Sequence, residues 1–243
     1  MAHFKSEKKL KNWEKIIPNQ PFISDLYNSK VPIEKKIFEL IFQSCQLRAP
    51  KEIFKLKESD LFSVEEMSSS PVTLNLIKFL IKLTNPLDVL EIGTFVGVAS
   101  MMIAKEISDK GRVITIEKFE RFSEVAAENF KKNRLSHKIS LINGDANEVL
   151  NNKYFKKKKF DFIFIDGAKE NYDFFLLYSH RHVKKNGLIF IDDALFHGDV
   201  LNNKPKSKKG KGVKKSMEYA KDLKNFEKVF LPMSNGIMIL RKK

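Results

Sequence analysis

A chain of 243 residues with 42% hydrophobic residues and 21 Phe can bury one large α/β core or two small ones. Its single cysteine, Cys45, excludes an internal disulfide and a Cys-cluster zinc site, and it fits a reducing cytosol. The formal charge of +15 leaves two readings open: a Lys-rich composition spread over solvated loops, or a phosphate-rich partner such as nucleic acid, a nucleotide-bearing thioester or a membrane surface.

The opening residues, MAHFKSEKKLKNWEK, are charged and lack the apolar stretch of a secretory signal. The longest nearly apolar run, Ile92–Ala104, is too short to span a bilayer and is interrupted by glycines. A soluble, cytoplasmic protein with no membrane partner is therefore expected. Residues 1–66 read as a polar helical extension punctuated by Pro18, Pro21, Pro32 and Pro50, and 67–243 as the main domain. The main domain begins with SSSPVTLNLIKFLIKL, where Ser70 is placed to cap a helix whose first residue is Pro71. Leu74, Ile77, Leu80 and Ile81 keep a helical period.

Short apolar runs then alternate with helical stretches. The runs are LDVLEIG (87–93), RVITIE (112–117), KISLING (138–144), FDFIFID (160–166) and GLIFIDD (187–193). The stretches between them are ASMMIAKEIS, RFSEVAAENFKKN, ANEVLNN and NYDFFLLYSHRHVKK. Near-continuous apolar strands separated by helices predict a parallel sheet covered on both faces. The tail KVFLPMSNGIMILRKK predicts two more strands around a Ser234-Asn235-Gly236 turn, one of them antiparallel.

The first strand runs into VLEIGTFVGVAS, a glycine turn that opens a helix and lets backbone approach a ligand closely. The glycines are spaced G-x-x-x-G, not G-x-G-x-x-G, which argues against a pyrophosphate and hence against NAD or FAD. Glu117 ends the second strand, where an acid can hydrogen-bond the ribose hydroxyls of a nucleoside-type cofactor. Asp166 ends the fourth strand, and Asp192 and Asp193 end the fifth. Neighbouring strands lie about 4.8 Å apart, so adjacency would bring three carboxylates to one point. Three anions there need a cation, and oxygen donors without His or Cys favour Mg²⁺ or Ca²⁺, or else Mn²⁺. The competing reading turns Asp193 away to cap the next helix. Lys169, three residues after Asp166, can face the same crevice, and beside a cation its pKa would fall into the range of a general base.

At these residues the sequence resembles the cation-dependent class I S-adenosylmethionine O-methyltransferases, the caffeoyl-CoA and catechol type with its bacterial relatives. The resemblance runs from about Ile23 to Arg241 through VLEIGTFVGVAS, FDFIFIDGAKENY, LIFIDDALFHG, KGVKKSMEY and LPMSNGIMILRKK. It implies a Rossmann-like doubly wound α/β sheet of seven strands, mostly parallel with one antiparallel strand and helices on both faces. It also implies S-adenosylmethionine and Mg²⁺ as cofactors, a homodimer, and an N-terminal extension that shapes the substrate mouth or the dimer contact. Glu91, Gly93 and Thr94 would line the methionine part of the cofactor, Glu117 its ribose and Ala146 its adenine. Met67 and Ser69 would close the pocket. Asp166, Asp192 and Asp193 would be the metal ligands, Asp166 and Lys169 the catalytic pair, and His197 a substrate contact. The chain departs from the family pattern at several of these positions. The third ligand, usually Asn, is Asp193. The serine that meets the cofactor carboxylate is Ala99, with Ser100 one step later as the expected contact. The acid two positions after the first ligand is Ala168, and the GDG turn is SNG.

Three functions follow as expectations. One is methyl transfer to a hydroxyl of a small catechol-like or acyl-CoA-type substrate. The second is methylation of a hydroxylated wobble uridine in tRNA, drawn by the Lys-rich loop Lys204–Lys215 at the active-site rim. The third is a non-catalytic cofactor-binding relative, which Ala99 and Ala168 favour.

Overall fold

The computed structural model describes residues 67–233 and 235–243, with a few helical positions between 36 and 45. The expected N-terminal extension otherwise lies outside the described residues, as does Ser234. Among the described residues no helix is long and apolar enough to cross a membrane.

Helix α1 (Pro71–Thr84) starts as its sequence dictates: the Ser70 hydroxyl accepts from the Thr73 amide at 3.2 Å and Pro71 fills the first position. It ends at Asn85, whose left-handed backbone lets its N–H reach the Ile81 carbonyl. Strand β1 (Asp88–Ile92), α2 (Val98–Glu106), β2 (Arg112–Glu117), α3 (Glu120–Lys132) and β3 (Ile139–Asn143) form the first half. The short helices α4 (Ala146–Asn151) and α5 (Lys153–Lys157) lead to β4 (Phe160–Ile165). A 3₁₀ turn (Lys169–Asn171), α6 (Tyr172–His182), β5 (Val183–Ile191), a second 3₁₀ segment (Phe196–Leu201), α7 (Lys208–Asp222), β6 (Phe226–Leu231) and β7 (Ile237–Lys242) complete the chain.

The seven strands lie in the order β3-β2-β1-β4-β5-β7-β6. All neighbours are parallel except those of β7, which runs antiparallel to both β5 and β6. The expected sheet, with its one reversed strand next to an edge, is thus the one formed. Alternate residues of the central strands face opposite layers. Leu90, Ile92, Ile163, Ile165, Ile189 and Ile191 pack against Tyr172, Phe175, Leu176 and Val213 of α6 and α7. Val89, Phe162, Phe164, Leu188 and Phe190 face the other way, against Ile77, Ile81, Met101, Ile103 and Phe130 of α1, α2 and α3. Burial on both faces is why these strands read as continuous apolar runs. Phe164 is fully buried and meets Phe190 edge-on at 5.6 Å, so its truncation to Ala should cost about 3–5 kcal/mol.

Two boundaries differ from expectation. β5 begins at Val183, within the stretch read as helical, because the chain bulges there: Phe160 pairs with Val183 but Phe162 pairs with Leu188. Asn186 takes a left-handed backbone inside that bulge. The Lys204–Lys215 stretch is not all loop, since from Lys208 it forms the first turns of α7. Buried Asp199 organises the segment before it, accepting from the amides of Lys206 and Ser207 and from the Ser207 hydroxyl at 2.7 Å. Ser207 in turn caps α7 by accepting from the Gly210 amide.

Candidate active site

The chain leaves β3 at one edge and returns to β4 beside β1, so the crevice at the C-terminal ends of β1 and β4 is where a doubly wound sheet binds its ligand. A cleft of about 580 Å³ opens there. Met67, Ser69, Glu91, Gly93, Thr94, Glu117 and Ala146 line it, together with Asp166, Lys169, Asp192, Asp193 and His197. Ser100 is the exception among the expected site residues. It is fully buried one position beyond the wall residue Ala99, and its hydroxyl bonds Glu91 from behind. Successive helical residues point about 100° apart, so when position 99 faces the cleft position 100 does not. Ser100 thus supports Glu91 and does not itself line the cleft.

The half of the cleft over β1 and β2 is built from hydrogen-bonded acids. Glu117 accepts from the amides of Phe95 at 2.7 Å, Thr94 at 3.3 Å and Phe119 at 2.9 Å. The acid at the end of β2 therefore holds the glycine turn of β1 in place. Burial pushes the Glu117 carboxyl up, and those backbone donors pull against it. Glu91 accepts from Ser100 and from Thr115, whose hydroxyl is in turn bonded to Thr94 at 2.6 Å. Burial dominates Glu91 despite these donors, with the charges of Asp166 and Glu117 adding to it, and its pKa is pushed up to about 8. Gly93 has φ +100°, and a Cβ there would stand 2.7 Å from the Asp166 carbonyl carbon, so only glycine lets the β1 turn lie this close to the end of β4.

The half over β4 and β5 is built from carboxylates around one ammonium. Lys169 Nζ lies 2.5 Å from Asp166 Oδ1 and 2.9 Å from Asp193 Oδ2. Ser69 donates to Asp192 Oδ2 at 3.1 Å and stands 3.4 Å from Asp166 Oδ2. Asp193 therefore turns inward and does not cap a helix. Burial pushes Asp192 well above the usual carboxylate range, and the charges of Asp166 and Asp193 push the same way. Burial also raises Asp166, against the pull of Lys169. At Asp193 burial is outweighed by the Lys169 ammonium and by hydrogen bonds from Lys169 and Asn235, so its carboxyl is held down. With protein groups alone around it, Lys169 is held well above the usual lysine range and not lowered. Burial works to lower it, but the charges of Asp166 and Asp193 overcome this and hold the ammonium protonated.

Among the described residues no three Asp, Glu, His or Cys side chains stand in ready ligating geometry, and Lys169 bridges two of the carboxylates. The donor set nonetheless fits a hard divalent cation: buried Asp192 stands with the partly buried Asp166 and Asp193, and every donor is an oxygen. Three further contributions were not visible in the sequence. Thr115 supports Glu91. Gly212 of α7 lies so close to the Lys169 turn that a Cβ would stand 2.5 Å from the Lys169 and Glu170 carbonyl oxygens. Asn235, read as a hairpin residue and as a departure from the GDG turn, donates to Asp193 Oδ1 at 2.7 Å. Of the Lys-rich stretch, Lys209 reaches the cleft wall.

A seven-stranded sheet of this order, with an acid-held glycine turn and a ligand cleft at its switch point, is the frame of a class I methyltransferase. A family model described as O-methyltransferase matches residues 49–243. Caffeoyl-CoA O-methyltransferase 2 of Petunia hybrida is 31% identical over 179 residues, covering 68% of this chain and 72% of the relative. Tricin synthase 2 of Oryza sativa subsp. japonica is 28% identical over 207 residues, covering 79% and 70%. Among solved structures, the O-methyltransferase of Bacillus cereus in complex with SAH superposes with a TM-score of 0.68 at 21% identity, over 96% of this chain and all of that one (100%). TomG of Streptomyces achromogenes, solved with SAM, gives 0.68 at 20% identity over 73% and 82%. The chain belongs to the O-methyltransferase family.

Proposed function

We propose that this protein moves the methyl group of S-adenosylmethionine to a hydroxyl of a small catechol-like or acyl-CoA-type acceptor, with a divalent cation held by Asp166, Asp192 and Asp193. The observation that carries the reading is the pairing of the two halves of one cleft. Glu91 and Glu117 face it from β1 and β2, and three carboxylates face it from β4 and β5. The names of the relatives and the SAM and SAH complexes of the similar structures support the donor and the acceptor class.

In this reading Glu117 binds ribose hydroxyls with the lone pairs its backbone donors leave free. Glu91 faces the ammonium of the methionine part, and Ala146 lies against the adenine. The cleft aligns acceptor oxygen, methyl carbon and sulfur for in-line transfer, and alignment is the larger part of such catalysis. A bound Mg²⁺, Mn²⁺ or Ca²⁺ would lower the pKa of the acceptor hydroxyl. Lys169 Nζ is placed to take that proton once Asp166 and Asp193 no longer hold it charged, and His197 contacts the acceptor from the cleft wall.

The test is incubation of the protein with labelled S-adenosylmethionine and Mg²⁺, with a catechol panel and total tRNA as separate acceptors. Label in a catechol product is the expected result. Label in tRNA alone would move the acceptor class, and absence of calorimetric S-adenosylmethionine binding at millimolar concentration would remove the activity.

A further inference from the structure

We propose that Asn235 is a positioning residue for the carboxylate site, its side-chain amide fixing Asp193 in the orientation in which it joins Asp166 and Asp192. The functional half of this inference rests on the cation-dependent reading above. The geometry stands apart from it.

The two oxygens of Asp193 are held from two different elements. Lys169, after β4, bonds Oδ2 at 2.9 Å, and Asn235, on the turn between β6 and β7, donates to Oδ1 at 2.7 Å. Asn235 does more than donate one bond. Its own Oδ1 accepts from the His197 amide, and its main-chain carbonyl accepts from the Leu195 amide at 2.9 Å. Gly236 next to it accepts from the Ala194 amide at 2.8 Å, and a Cβ on Gly236 would stand 2.6 Å from the Leu195 nitrogen. The β6–β7 turn is thus seated on the 193–197 segment through both its backbone and the Asn235 side chain, and at Gly236 there is no room for a side chain.

That segment needs such a seat. Asp193, Phe196 and His197 all have positive φ, at 55°, 42° and 51°, and Asn235 itself at 66°. Backbone of this kind persists only where its surroundings over-determine it. An Asn at 235 supplies both requirements at once: it tolerates the left-handed region, and it carries a donor and an acceptor on one side chain.

The pair holds one carboxylate and one amide, so the hydrogen bond between the two positions carries a single negative charge, placed at the strand end.

Two measurements on the full chain test this. Asn235→Gly keeps the left-handed turn and deletes only the amide. Mn²⁺ titrated calorimetrically without cofactor should bind this variant at least about tenfold more weakly than wild type, with an unchanged circular dichroism spectrum. Unchanged Mn²⁺ affinity would overturn the positioning role, whereas absence of saturable Mn²⁺ binding by the wild type would sink the cation reading and the positioning role with it. The second measurement needs no metal. Asn235→Asp sets two carboxylates against each other and should lower the melting temperature by several degrees. The double variant Asp193→Asn with Asn235→Asp should recover most of that loss, while additive effects of the two substitutions would show that the positions are not coupled.

Discussion

Strand β4 has an aspartate cluster at each end, and the two make an instructive pair. At its start, Asp161 and Asp88 share Lys184 at 3.0 and 2.6 Å, and the Asp161 carboxylate also accepts from the amides of Leu87 and Asp88. Just beyond its end, Asp166 and Asp193 share Lys169, with Asp192 alongside. The chemistry is similar and the balance is not. The first cluster has two carboxylates, fixed backbone donors and side chains roughly a third exposed, so that despite partial burial its hydrogen bonds and Lys184 hold Asp161 below its usual range. The second has three carboxylates for one lysine that is only 13% exposed, and burial leaves Asp192 well above its usual range. The first is a clip that ties three strands together. The second carries an anionic excess that folding does not need, and such an excess marks a place for chemistry.

Substitutions at the two ends should therefore behave differently. The largest effect is expected for Asp166→Ala: methyl transfer should fall at least about 1000-fold, about 4 kcal/mol in barrier, with the fold retained, since relief of repulsion offsets the lost ion pair. Wild-type turnover by the purified variant would break the contrast outright. Lys169→Met leaves the partly buried Asp166 and Asp193 without their shared cation and should cost about 3 kcal/mol in urea unfolding, part of it recovered by added Mg²⁺. Equal stability of variant and wild type would mean the carboxylates do not depend on that ammonium.

The acid half of the cleft sharpens the contrast through pH. Glu91 titrates at about 8 when folded, against 4.5 for an unperturbed group. Between those values the folded state holds a proton that the unfolded state has released, so stability falls as pH rises from about 4.5 to about 8. The slope is at most about 1.4 kcal/mol per pH unit. Urea unfolding of cofactor-free protein at pH 5, 6.5 and 8 should show it, and the difference between wild type and Glu91→Gln isolates it. Parallel pH profiles for the two proteins would contradict the assignment. The smallest effect is expected at the clip: Lys184→Met should cost under about 1 kcal/mol and leave turnover unchanged.

What the sequence disclosed follows the same physics. Strands buried on both faces announce themselves, and β1 and β4 were legible end to end. So was the Ser70-Pro71 start of α1, because caps have a local chemical signature. The start of β5 was hidden because Lys184, Lys185 and Asn186 form a polar bulge before the apolar run. The start of α7 was hidden because KSKKGKG has the composition of a loop. Its glycines serve close packing: Gly212 lies against the Lys169 turn and Gly210 against Asp199.

The site was legible where position along a strand decides which side chains reach the cleft, as for Glu117, Asp166 and Asp192. It was not legible where orientation or a distant partner decides. Ser100 and Ala99 differ by one step of helical rotation. Asn235 meets Asp193 from 42 residues away, across a hairpin whose own chemistry already accounted for an asparagine. The lowered pKa expected for Lys169 assumed a cation beside it, whereas the two aspartates it bridges hold it charged.

The central claim is that the far end of β4 binds a divalent cation for methyl transfer. Its most direct test is the rate of transfer from labelled S-adenosylmethionine to a catechol acceptor in excess chelator, followed by stepwise return of Mg²⁺. The account predicts loss of turnover in chelator and its recovery with Mg²⁺, in wild type and in Lys184→Met but not in Asp166→Ala. Full turnover in chelator would contradict it.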